Sequence, residues 1–181
     1  TGLAWMTIPL AGYEAAGDVR KPYGSGVAEI VPYQAFETAD GWLMIAAGND
    51  NLFRKLCSVL GLDELAADPA FATNSARVVN RVRLIPMIAA KVATCAPDEL
   101  AARLDALGVP NAPLLTTDQV ARHPQTQALE MTVECDDDAG LPLVGVPLSL
   151  DAKRPRTTRR APKLGEHNRI LKRKPSETPV G

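Results

Sequence analysis

At 181 residues, 46% hydrophobic and a formal net charge of −1, the chain is long enough for one packed domain or two small ones. No apolar run approaches the ~18 residues of a membrane span and the sequence does not open on a basic and apolar leader, so a soluble globular chain is expected. Cys57, Cys95 and Cys135 are an odd number at wide spacing with no second ligand nearby, so they indicate neither a disulfide framework nor a metal site and read as reduced thiols of a cytoplasmic protein.

Leu3, Met6, Leu10 and Tyr13 are spaced for one helix face, with Pro9 expected to bend the helix and Gly12 and Gly17 to weaken its end. Lys21 to Gly26 reads as a flexible loop. Its Gly-Ser-Gly is no dinucleotide fingerprint, because no third glycine follows and no strand precedes it. Val31 to Phe53 is the most informative stretch. Two strand-like runs meet at Asp40-Gly41, expected to supply the positive φ of a tight hairpin turn. In the second run Trp42, Met44 and Ala46 share one face and Leu43, Ile45 and Ala47 the other; both faces are apolar, which predicts a strand buried between layers. Gly48-Asn49-Asp50 then leads into Leu52, Phe53, Leu56, Cys57 and Leu60 at helical spacing, with Gly61 as the stop and Asn49 or Asp50 as the N-cap.

A further helical turn fits Leu62 to Ala67 before Asp68-Pro69. Val78, Val82, Ile85, Ala89 and Val92 describe the next helix face. Pro86 either kinks that helix or lies in the first turn of a second one that begins by Arg83, the first having ended near Asn80. Arg77, Asn80 and Arg81 form a polar group that reads as a solvated face. Pro97, Asp98 and Glu99, followed by Leu100, Leu104 and Leu107 and ended by Gly108, make the best-defined helix. Val109 to Leu115 can only be an edge strand or extended connection. Thr116 or Thr117 is expected to cap a short helix and Pro124 to open another; His123 between them reads as a surface residue, since no second ligand accompanies it. Met131 to Cys135 and Leu141 to Leu150 read as strands around the acidic turn Asp136 to Gly140, which lacks the spaced ligands of a calcium loop. The remainder is basic: ten Lys and Arg stand against Glu166 alone between Lys153 and Lys174, whereas residues 1–152 hold the other ten against nineteen acids. With no aromatic residues interleaved to stack on bases, this run reads as a solvated tail and not as a nucleic-acid or membrane surface, disordered from Pro175 to Gly181.

Several motifs occur in order: Pro32-Tyr33-Gln34-Ala35-Phe36, Thr38 to Trp42, Ile45 to Asp50, Asp68 to Asn74, Arg77, Asn80-Arg81, Gly108-Val109-Pro110 and Leu164-Gly165-Glu166-His167. The chain thereby resembles the C-terminal half of the class III CoA-transferases, the family of formyl-CoA transferase, carnitine CoA-transferase and α-methylacyl-CoA racemase, from about Leu3 to Leu171. Thr1 in place of an initiator Met agrees with a fragment.

With this resemblance the expected fold is α+β, a small domain in which a β-hairpin and antiparallel strands are packed by helices. A C-terminal excursion is expected to pack on an α/β, Rossmann-like half that is missing. The divisions are a helix and glycine-containing connection (1–32), the small domain (33–114), helices and strands returning toward the large domain (115–165), and a basic, partly disordered tail (166–181). The resemblance implies transfer of CoA between carboxylic acids through an aspartyl-CoA intermediate, with the nucleophilic aspartate upstream of Thr1. No catalytic residue is then expected in this chain, and the fragment alone should be inactive. Gly24, Ser25 and Gly26 are a candidate lid, and Tyr33, Asn49 and Asp50 candidate substrate contacts. Many relatives have His-Pro where this chain has Val27-Ala28, so no histidine role carries over at that place. No cofactor is expected beyond the coenzyme A thioester as substrate, whose phosphates the basic run could meet. The expected partners are acyl-CoA, a carboxylic acid and a second full-length chain in an interlocked homodimer. Two readings compete: a racemase with Asp50 as general base, and a non-catalytic interaction module.

Overall fold

A computed structural model of the chain describes residues 2–135, 138–155 and 159–171. It divides into two compact units, Thr1–Leu114 and Leu115–Gly181.

The first unit opens with a 3-10 turn, Gly2–Met6, and helix α1, Thr7–Ala16, which ends on Gly17 at φ 68°. Neither buries a residue, and Trp5 is 87% exposed. Strands β1 (Tyr33–Glu37) and β2 (Trp42–Ala46) form the expected antiparallel hairpin, with Tyr33 opposite Ala46 and Glu37 opposite Trp42. Of the turn residues only Gly41 takes a positive φ, 90°; the loop is closed by Thr38, whose backbone N–H and hydroxyl both donate to the Gly41 carbonyl. Helix α2 (Asp50–Leu60) stops at Gly61, φ 65°, and the short α3 (Asp63–Ala67) follows. Then come α4 (Asn74–Val79), α5 (Arg81–Val92) and α6 (Pro97–Ala106), and the edge strand β3 (Asn111–Pro113) pairs antiparallel with β2 to give the sheet order β1-β2-β3.

The core forms where one face of this sheet meets the helices: Phe36, Leu43 and Ile45 pack with Phe53, Leu56 and Leu60 of α2, Leu84, Ile88 and Val92 of α5, and Leu100 and Leu104 of α6. Each such side chain contributes about 1.5–3 kcal/mol of burial. Two sequence expectations hold only in part here. β2 is not buried on both faces: Leu43, Ile45 and Ala47 are inside, but Met44 and Ala46 are half-buried and Trp42 is 47% exposed, because the helices cover only one side of the sheet. The helix face read from periodicity is the second: Val92 is buried and Val78, Ile85 and Ala89 pack partly buried against the core, but Val82 is 84% exposed and Leu84 and Ile88, which that spacing left out, are fully buried. The chain breaks at Asn80 (φ −96°, ψ 16°), where one of the two sequence readings ended the first helix, and Val82, just past the break, is the residue that leaves the pattern. Pro86 accordingly lies in the second turn of α5 and not in the first turn of a helix starting by Arg83.

The second unit contains α7 (Thr117–Arg122), α8 (Pro124–Ala128), the antiparallel pair β4 (Thr132–Cys135) and β5 (Asp138–Val144), and α9 (Asn168–Leu171). β5 starts three residues earlier than expected and ends at Val144 instead of Leu150, so the acidic stretch is partly strand; Asp136 and Asp137 lie outside the described residues, as does the segment expected to be disordered. His123 caps α8, its Nδ1 accepting from the Gln125 N–H at 3.1 Å, and is exposed as expected. Among the described residues no helix is long and apolar enough to cross a membrane, and no group of three or more His, Cys, Asp or Glu is placed to hold a metal ion.

Candidate functional site

The Gly48-Asn49-Asp50 mouth sits where β2 passes into α2. Asn49 is extended (φ −141°, ψ 171°), and its Oδ1 accepts from the Leu52 N–H at 2.9 Å, so Asn49 is the N-cap and Asp50 is the first helical residue. Asp50 also meets the positive end of the helix dipole. Its main partner is elsewhere: Oδ1 accepts from Arg77 Nη2 at 2.9 Å.

Arg77 is fully buried, which overturns its reading as part of a solvated face. Besides Asp50, its Nε donates to the Val31 carbonyl at 2.7 Å and its Nη1 to the Phe71 carbonyl at 3.0 Å, and the guanidinium lies 4.5 Å from the Phe53 ring centroid. The flanking polar residues are occupied in the same way. Asn74 accepts from the Val31 N–H at 3.1 Å and donates to the Glu29 carbonyl at 2.7 Å. Arg81 Nη2 donates to the Val27 and Ala28 carbonyls at 2.7 and 2.9 Å, with its guanidinium 4.2 Å from the Tyr23 ring centroid. Asn80 donates to the Ala70 carbonyl at 3.0 Å. Residues 27–31 enter β1 without a strand partner of their own, and the donors of α4 and α5 supply what their carbonyls need. The sequence signal was present, four long polar side chains within eight residues, but nothing in it indicated which carbonyls they would meet.

The glycine turn is built just as specifically. Gly24 has φ 62°, the Gly26 N–H donates to the Tyr23 carbonyl at 2.9 Å, and a Cβ at Gly26 would stand 3.0 Å from that same oxygen. Ser25 Oγ accepts from the Ala35 N–H at 3.0 Å, and the Val27 N–H donates to the Tyr33 carbonyl at 3.1 Å. Gly24, Ser25, Gly26 and Tyr33 are thus gathered at the start of β1. They are joined to the Gly48 to Asp50 mouth through Arg77, which bonds both Val31 and Asp50, and through the Ala47 N–H, which donates to the Pro32 carbonyl at 3.0 Å. A separate open cavity of about 1230 Å³ in the second unit is lined by Thr126, Gln127, Ser149, Lys153 and Arg154 among others, and by none of the candidate residues.

Among the described residues, three groups titrate away from their ordinary values. Hydrogen bonding from Arg20 lowers Glu29. Burial, reinforced by Asp63, pushes the Cys57 thiol up to about 11. Glu166 is held down to about 2, first by Arg160, whose Nη1 and Nη2 grip its two oxygens at 2.8 and 2.9 Å, and then by the Lys163 N–H at 2.6 Å.

The sequence profile of CoA-transferase family III matches residues 1–168. The chain belongs to this family. Relatives within family III include the succinate–glutarate CoA-transferase of Agrobacterium fabrum, 35% identical over 146 residues (80% of this chain, 36% of that enzyme), and the mouse succinyl-CoA:glutarate CoA-transferase, 31% identical over 173 residues (94% and 40%). A crystal structure of a CaiB/BaiF family protein from Brucella suis superposes with a TM-score of 0.76 at 35% identity, covering 93% of this chain and 44% of that one. The α+β fold, antiparallel sheets packed by helices, is thus matched in a CaiB/BaiF family protein, and the chain spans about two-fifths of the length of the curated relatives it matches.

Proposed function

We propose that this chain is the C-terminal portion of a CoA-transferase that moves CoA between carboxylic acids, with the nucleophilic aspartate supplied by polypeptide outside it. That carboxylate attacks the acyl-CoA carbonyl, the C–S bond breaks, and the departing CoA thiolate leaves a mixed anhydride. The thiolate then attacks the aspartyl carbonyl, releasing the donor acid and forming an aspartyl-CoA thioester. The acceptor carboxylate repeats the sequence, regenerating the aspartate. In this scheme Gly24 to Gly26, Tyr33 and Asn49-Asp50 are walls around the thioester. They orient and exclude water but exchange no proton. The relatives' names motivate a dicarboxylyl-CoA and a dicarboxylate as the assay pair.

The observation that carries this reading over the racemase alternative is the Arg77–Asp50 pair. A base for an α proton needs a carboxylate aimed at substrate, and here Oδ1 is committed to a buried guanidinium while Asn49 takes the cap. The purified chain, given radiolabelled succinyl-CoA and glutarate, is expected to yield no glutaryl-CoA above the uncatalysed rate. Turnover at an enzymatic rate would overturn the placement of the nucleophile.

A further inference from the structure

We infer that Arg81 is a positioning residue that fixes the Gly24–Gly26 turn to the helical layer, so that any closure over substrate moves the turn and the Gly48 to Asp50 mouth as one body and not as a hinged flap. This deepens the reading above and rests on it for its meaning in catalysis, but not for its geometry. A glycine-rich turn is conformationally free by default, since Gly24 at φ 62° loses more entropy on ordering than any other residue type would. Here that freedom is removed at both ends. On the far side Tyr23 lies under the Arg81 guanidinium, and on the near side the same Nη2 spans two successive carbonyls, Val27 and Ala28. The planar fork of an arginine can stack and donate at once, which a lysine ammonium cannot do in the same geometry. Between those anchors the turn closes on itself and on β1 through three amides: Gly26 to the Tyr23 carbonyl, Val27 to the Tyr33 carbonyl, and Ala35 to Ser25 Oγ.

The next anchors along the chain, Asn74 on Glu29 and Val31 and Arg77 on Val31, make no bond to the turn itself. Arg81 is therefore the latch for residues 23–28, and Asn74 with Arg77 holds residues 29–31 and passes the restraint to Asp50.

Amide hydrogen exchange on this chain, with no substrate present, tests the assignment apart from the CoA-transferase reading. In Arg81→Ala the amides of Gly26, Val27 and Ala35 should exchange about tenfold faster, the size of a lost charge-assisted hydrogen bond, while Val31, still held by Asn74, and the amides of α2 stay within about twofold. Arg81→Lys should recover part of the protection and Tyr23→Leu should lose part of it. Unchanged exchange at those three amides in Arg81→Ala would overturn the inference. So would acceleration spread evenly over α2 and α5, which marks general loosening, or full recovery by lysine, which removes the need for the fork.

Discussion

The two units of this chain are held together differently. In the first, apolar residues from the sheet and from α2, α5 and α6 meet in a continuous core, and a buried arginine ties that core to the segment entering β1. In the second, Val133 is the one buried hydrophobic among the described residues, while Val144, Val146, Leu148, Leu150 and Ile170 are exposed and local order comes from polar devices. Gln119 Oε1 accepts the Thr116 N–H, Arg154 covers the carbonyls of Leu129 and Glu130, and Arg160 grips Glu166. The difference teaches which substitutions matter where. Removing apolar volume or the buried Arg77 damages the first unit, whereas the second rests on exposed hydrogen bonds and ion pairs, each of which costs little to lose.

The largest effect tests that contrast directly. Phe53→Ala empties a core site and removes the ring beneath Arg77, so it should destabilise the first unit by about 3–5 kcal/mol, whereas Leu148→Ala on the half-exposed counterpart should stay within about 0.5 kcal/mol. Denaturant melts of the two variants measure this. Similar losses for both would show that the second unit has a core of its own.

The smallest effect lies in the acid range. Glu166 has its affinity for protons depressed in the folded state, so the Arg160 grip contributes fully above the ordinary carboxylate value of 4.5 and is lost as the pH falls toward about 2. A carboxyl NMR titration should place Glu166 well below the other glutamates, and Arg160→Gln should return it toward 4.5. Titration at an ordinary value in the parent chain would remove this bracket from the account of the second unit.

Much of the first unit was legible in the sequence because local chemistry dictates it. Two strand-like runs meeting at Asp40-Gly41 gave the hairpin, Asn49 and Gly61 bracket α2 as capping rules require, and Pro97 and Gly108 bracket α6. What escaped depends on tertiary context. The polar residues Arg77, Asn80 and Arg81 read as a solvated face because helical spacing says nothing of the carbonyls of Val27, Ala28, Val31 and Ala70 that lie against them. The exposed side of β2 read as buried because an apolar strand face does not tell whether a second layer covers it. Of the candidate site residues, Asn49 and Asp50 were chosen as a pair with interchangeable roles. The structure separates them into a cap and a partner of a buried guanidinium, a distinction that required Arg77 to be placed.

In the proposed function Asp50 serves structure and not proton transfer. The most direct test is Asp50→Asn in the full-length enzyme proposed above, since asparagine keeps an oxygen for Arg77 while removing the base. Deuterium incorporation at the α carbon of a 2-methylacyl-CoA in heavy water is followed beside CoA transfer from succinyl-CoA to glutarate on the same preparations. The account predicts transfer by both proteins within about tenfold of each other and no enzymatic α exchange by either, because a lost general base costs on the order of 100-fold or more. Rapid α exchange by the parent enzyme, abolished in Asp50→Asn, with transfer absent from both, would contradict it.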